Sequence, residues 1–160
     1  MKCLLFVEDE PALLDLWVEV AERAGYRAVG VPRAADAMAM AKRVRPDLVL
    51  LDFIMPRREP DGFDFLSRLR KDAALGSIPV VMVSGLAAAV NPEAARHFGV
   101  RRILAKPITP EALLAEVESV LGAAGRNLER RPRAQERDDA CPARSTSPSP
   151  RDHEGPILWP

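Results

Sequence analysis

The chain has 160 residues, of which 48% are apolar, 29% charged and 5% aromatic, with 23 basic side chains against 23 acidic ones. That balance excludes a chain-wide basic field for non-specific nucleic-acid binding and the acidic excess of a solvating disordered protein, so any charge-based function must be local. The first apolar run, residues 3–7, stops at Glu8, Asp9 and Glu10, too short for a signal peptide or a membrane span, and Cys3 and Cys141 make neither a disulfide framework nor a metal set. A cytoplasmic protein is expected.

In chain order, residues 2–7 read as a first strand, and Leu13, Leu14, Trp17, Val18, Ala21 and Ala24 then mark one face of a first helix, with Trp17 packing it against the body. A second strand at 26–31 ends in Val31-Pro32 without a polar residue, and the Ala/Met-rich stretch 34–44 gives a second helix. A strand at 47–51, a helix at 63–74, a strand at 79–83, a helix at 92–98 behind Asn91-Pro92, and a strand at 100–104 follow. The fifth helix takes Thr109 as N-cap and Pro110 as its first residue, runs apolar at Leu113, Leu114, Val117, Val120 and Leu121, and ends at Gly122. The five strands are rich in Val, Leu and Ile without strict polar alternation, which predicts burial on both faces. Beyond residue 125 the composition changes: residues 126–160 hold 6 of the 15 prolines and only Leu128, Ile157, Leu158 and Trp159 as large apolar residues. Such a stretch cannot offset roughly 1–2 kcal/mol of backbone entropy per ordered residue. The expected organisation is a folded domain over 1–125 and a disordered Pro/Arg/Ser-rich tail over 126–160.

Five β-then-α units imply an α/β fold with right-handed crossovers, an open parallel sheet and helices on both faces. In such sheets sites form beyond the carboxyl ends of the strands. Strand one delivers Glu8 and Asp9 there, strand three Asp52, strand four Ser84 followed by Gly85, and strand five Lys106 followed by Pro107. Carboxylates in that position repel: one pair about 4 Å apart costs on the order of 4 kcal/mol at an effective dielectric near 20. A lysine and a divalent cation remove the repulsion, and oxygen ligands without His or Cys favour a hard ion, Mg²⁺ being the usual one beside phosphate oxygens.

With these residues in view, the chain from 1 to about 122 resembles the receiver domain of two-component response regulators. The resemblance rests on Val7-Glu8-Asp9-Glu10, Leu50-Leu51-Asp52-Phe53-Ile54-Met55-Pro56, Asp61-Gly62, Ile78-Pro79-Val80-Val81-Met82-Val83-Ser84-Gly85 and Leu104-Ala105-Lys106-Pro107. It implies a flavodoxin-like, doubly wound, five-stranded parallel sheet of order 2-1-3-4-5. It further implies that Asp52 accepts a phosphoryl group from a phosphohistidine of a histidine kinase or phosphotransfer protein. Asp9, Asp52 and the Ile54 carbonyl would bind Mg²⁺, Glu8 would act mostly through water, Lys106 would supply a fixed positive charge, and Ser84 a hydroxyl donor. Phosphorylation would shift the population of a surface around the fourth helix, fifth strand and fifth helix.

Two features depart from the family pattern. Ile103 stands where an aromatic is common, and the segment carrying Arg57, Arg58 and Glu59 is longer than usual, which reads as a solvated loop. His97 reads as a helix-end residue, and the basic cluster at Arg130, Arg131 and Arg133 is balanced by Glu129, Glu136, Asp138 and Asp139, so neither nucleic acid nor membrane is an expected partner. With no helix-turn-helix pattern after residue 125, a single-domain regulator that signals to a downstream protein by contact is expected. The competing readings are a constitutive interaction module that no longer switches, and a Mg²⁺-dependent hydrolase or flavin-binding protein on the same architecture. The last fits poorly, because Glu8-Asp9-Glu10-Pro11 stands where a phosphate-cradling loop would be.

Overall fold

A computed structural model describes residues 1–52 and 62–128. The elements are β1 (Cys3–Val7), α1 (Pro11–Arg23), β2 (Arg27–Val31), α2 (Ala34–Val44), β3 (Leu48–Asp52), α3 (Gly62–Lys71), β4 (Val80–Ser84), a 3-10 turn at Ala87–Ala89, α4 (Pro92–His97), β5 (Val100–Ala105) and α5 (Pro110–Leu128). All strand pairs are parallel, in the order β2-β1-β3-β4-β5. The winding reverses between β1 and β3, so their carboxyl ends flank the crevice where this flavodoxin-like, doubly wound fold places its sites.

Alternate residues of a strand point to opposite faces, so strands that are apolar at every position need a cover on each side. Leu5, Val7, Val49, Leu51, Val80 and Met82 pack on Ala37 and Ala41 of α2 and on Phe65, Leu66 and Leu69 of α3. The intervening residues Leu4, Phe6, Leu48, Leu50, Val81 and Val83 meet Leu14, Trp17 and Val18 of α1 and Leu113 and Val117 of α5. On β2, a Cβ at Gly30 would stand 2.9 Å from Leu14 Cγ and 3.2 Å from Val18 Cγ2, so the glycine is what lets α1 lie this close to the sheet. Arg70, at the end of α3, donates to the carbonyls of Gly76, Ile78 and Phe98 and ties the turns before β4 and β5 together. The second turn passes through Gly99 at φ +72°, where a Cβ would lie 2.5 Å from Arg70 Cζ.

Burial on both faces holds for β1, β3 and β4 but not at the sheet edges. β2 is only partly covered, and Arg101 and Arg102 of β5 are exposed. Arg102 pairs with Glu116 of α5 at 3.3 Å, and charge on an outer strand discourages pairing with another sheet. The last three strands each run one residue further than expected, because the parallel ladder continues through Asp52 opposite Val83 and Ser84 opposite Ala105. α3 stops at Lys71 rather than 74, since the Asp72 carboxylate accepts the amides of Ala74 (3.0 Å) and Leu75 (3.2 Å) and turns the chain. α5 begins as expected, with Thr109 Oγ1 accepting the Ala112 amide at 3.3 Å, but it passes Gly122 and continues to Leu128. One glycine costs about 1 kcal/mol relative to alanine, and Ala123 and Ala124 beyond it favour continuation. The expected boundary at 125 thus falls inside α5. Residues 53–61 and 129–160, which include Ile54, the Arg57–Glu59 insertion and most of the expected tail, lie outside the described residues.

Candidate functional site

Strand register builds the site. β1 and β3 are neighbours with Val7 opposite Leu51, so Glu8 and Asp52 stand side by side at adjacent strand ends. Ser84 closes β4 opposite Ala105, and the Lys106 amide, one residue on, donates to the Ser84 carbonyl at 3.0 Å. From there the Lys106 side chain reaches back across the sheet edge, and Nζ donates to Glu8 Oε2 and to Asp52 Oδ2, each at 2.7 Å. The peptide bond from Lys106 to Pro107 is cis. Glu8, Asp9 and Asp52 offer carboxylate oxygens that all lie within 4.8 Å of one another, with Glu8 and Asp52 buried and Asp9 more open.

Among the described residues, the Lys106 ammonium stands against three carboxylates, more negative charge than it can balance. Burial, with the Asp52 charge beside it, pushes the Glu8 carboxyl up to about 7 against the opposing pull of Lys106. For Lys106 burial works against the charged form, yet the hydrogen bonds to Asp52 and Glu8 outweigh it and raise its pKa. A hard cation in the cluster would relieve the repulsion that Lys106 relieves only in part. The Ser84 hydroxyl is fully buried, and its Oγ accepts the Leu86 amide at 3.0 Å, while the Leu86 side chain is 61% exposed.

Five of the six residues singled out from the sequence are therefore described. Glu8, Asp9, Asp52 and Lys106 form one cluster, Ser84 sits on the strand between Asp52 and Lys106, and the Ile54 carbonyl lies outside the described residues. The sequence sets Lys106 against the carboxylates as a group; its direct ion pair with Glu8 is the finer detail that the fold adds. Its signal was the strand order itself, which sets strand one beside strand three. Trp17 does pack α1 onto the body, but it also lines a small void together with Glu8 and Asp52. Ile103 is partly buried and packed against the core layer of α2 and α3. His97 ends α4, outside the one metal-capable cluster found among the described residues.

A family model for the response regulator receiver domain matches residues 4–118, a span that contains every member of this cluster. The chain belongs to the response regulator receiver family. Among curated proteins it is similar to PilH of Pseudomonas aeruginosa, 31% identical over 121 residues that cover 76% of this chain and 98% of PilH. It is also similar to the DNA-binding dual master transcriptional regulator RpaA of Synechocystis, 33% identical over 121 residues; that match covers 76% of this chain and 49% of RpaA, about half its length. Among solved structures, chemotaxis protein CheY4 of Vibrio cholerae superposes with a TM-score of 0.67 at 26% identity, covering 75% of this chain and 98% of that one. As a receiver domain of two-component signalling, the chain has its acidic cluster at the reversal of winding, and no helix among the described residues is long and apolar enough to cross a membrane.

Proposed function

We propose that this receiver domain is a phosphorylation-controlled regulator in which Asp52 accepts a phosphoryl group from the phosphohistidine of a sensor kinase or phosphotransfer protein. The observation that carries the reading is the Asp52 carboxylate, buried at a strand end, bonded to Lys106 at 2.7 Å and clustered with Glu8 and Asp9. An Asp52 oxygen attacks phosphorus, the P–O bond forms as the P–N bond of the donor breaks, and the imidazole leaves with the electron pair and takes up a proton. Lys106 offsets the charge spread over the phosphoryl oxygens, and the Ser84 hydroxyl, on the next strand, donates to one of them. The donor set of Glu8 and Asp9 with Asp52 is all oxygen and carries excess negative charge, which fits Mg²⁺, with the Ile54 carbonyl as a further ligand. Mg²⁺ held there supplies charge neutralisation at the transferring group.

The Ser84 hydroxyl that donates to the phosphoryl group also accepts the Leu86 amide at its oxygen, and so links the site to the 3-10 turn and α4 that follow. The domain then signals through protein contact, assists its own phosphorylation and dephosphorylation, and acts in the cytoplasm beside its kinase. Its folded unit is completed by α5, with the Pro/Arg/Ser-rich segment as a tail. A constitutive module is the second reading, favoured by Ile103 where a switching aromatic is common. Backbone amide spectra with and without a phosphoryl mimic separate the two. Shifts across residues 84–110 support switching, and shifts confined to the acidic cluster support the module.

A further inference from the structure

The site has a floor that the phosphoryl-transfer reading does not use. On the α1 and α5 side of the sheet, Trp17 packs among Phe6, Leu50, Val83 and Leu113 and is 5% exposed. These side chains, together with Glu8 and Asp52, line a void of about 10 Å³, at most the room of one water molecule. A carboxylate that rotated down into it would meet indole and aliphatic carbon and give up its polar partners. We propose that Trp17 is a positioning residue for the acidic site: its indole closes the floor under Glu8 and Asp52 and holds both carboxylates up toward Lys106 and the cation. The inference rests on the reading of the cluster as a Mg²⁺ site. It adds that the cation's affinity is set from below by an aromatic residue that touches neither metal nor phosphoryl group.

Removing the indole enlarges the void beside two carboxylates, and a polar cavity of that size fills with water. Water beneath Glu8 and Asp52 offers them other partners, and the geometry that Lys106 and the cation need is lost. Calorimetric titration of the full chain with MgCl₂ should show Trp17→Leu weakening Mg²⁺ binding about tenfold, as loss of an outer support for a metal ligand does, while Trp17→Phe stays near wild type. A second readout leaves Trp17 in place. The chain has two tryptophans, so in a Trp159→Phe variant the emission reports Trp17 alone. Its emission should change on adding Mg²⁺ with the same midpoint as the calorimetric titration. A wild-type midpoint in Trp17→Leu, or unchanged Trp17 emission while calorimetry shows saturation, overturns the positioning role and leaves the cation reading standing. Absence of Mg²⁺ binding by the wild type overturns both.

Discussion

Glu8→Gln should stabilise the metal-free protein, although it removes one side of a 2.7 Å ion pair. Glu8 is buried beside Asp52, and its carboxyl is raised from 4.5 to about 7, so the folded state holds the proton more tightly than the unfolded chain does. The resulting penalty is absent below pH 4.5, grows as pH rises toward 7, and is complete above it. At about 1.4 kcal/mol per pH unit the rise amounts to on the order of 3 kcal/mol; solvent screening from the open mouth brings the expected gain at pH 8 to about 1–3 kcal/mol. For a domain of this size that is roughly 3–5 °C of melting temperature per kcal/mol. Glutamine keeps an oxygen for Lys106 and removes only the charge. Thermal unfolding in EDTA should show Glu8→Gln melting higher than wild type at pH 8, with the gap closing toward pH 4.5. Added Mg²⁺ should stabilise the wild type more than the variant. A variant that melts lower at pH 8, or a gap that does not change with pH, would refute the charge excess at the site.

Lys106→Met removes the ammonium bonded to Asp52 at 2.7 Å, and labelling by acetyl phosphate should slow on the order of a hundredfold, measured as the initial rate at saturating Mg²⁺. Arg70→Met withdraws the donor from three carbonyls and should cost about 2–4 kcal/mol in urea unfolding, with labelling of the folded protein unchanged. Truncation after Leu128 should leave the melting temperature unchanged, whereas truncation after Val117 removes the buried Val120 and should lower it by several degrees, on the order of 1–3 kcal/mol.

Most of the architecture was legible because uninterrupted apolar strands have one common explanation, a parallel sheet covered on both faces, and because polar residues follow those strands at one edge. The sheet edges were less legible. Composition does not separate an outer strand from a central one when Val100, Ile103 and Leu104 surround Arg101 and Arg102. Element ends were hidden for local reasons, a side-chain turn at Asp72 and a glycine at 122 too weak to stop a helix flanked by alanines. At the site, the residue types were readable but their pairing was not. The reach of Lys106 to Glu8 spans 98 positions in sequence and depends on β1 lying beside β3. Trp17 read as core packing because its periodicity on α1 is that of any buried helix face; only the void it shares with Glu8 and Asp52 sets it apart.

The most direct test of the central claim is chemical localisation of the acceptor. Incubation with Mg²⁺ and acetyl phosphate, borohydride reduction of the acyl phosphate to homoserine, and peptide mass spectrometry identify the carboxylate that was labelled. Homoserine at position 52, absent in Asp52→Asn, is the predicted result. Homoserine at Asp9, 2-amino-5-hydroxypentanoic acid at Glu8, or equal labelling of the wild type and Asp52→Asn, would contradict Asp52 as the phosphoacceptor.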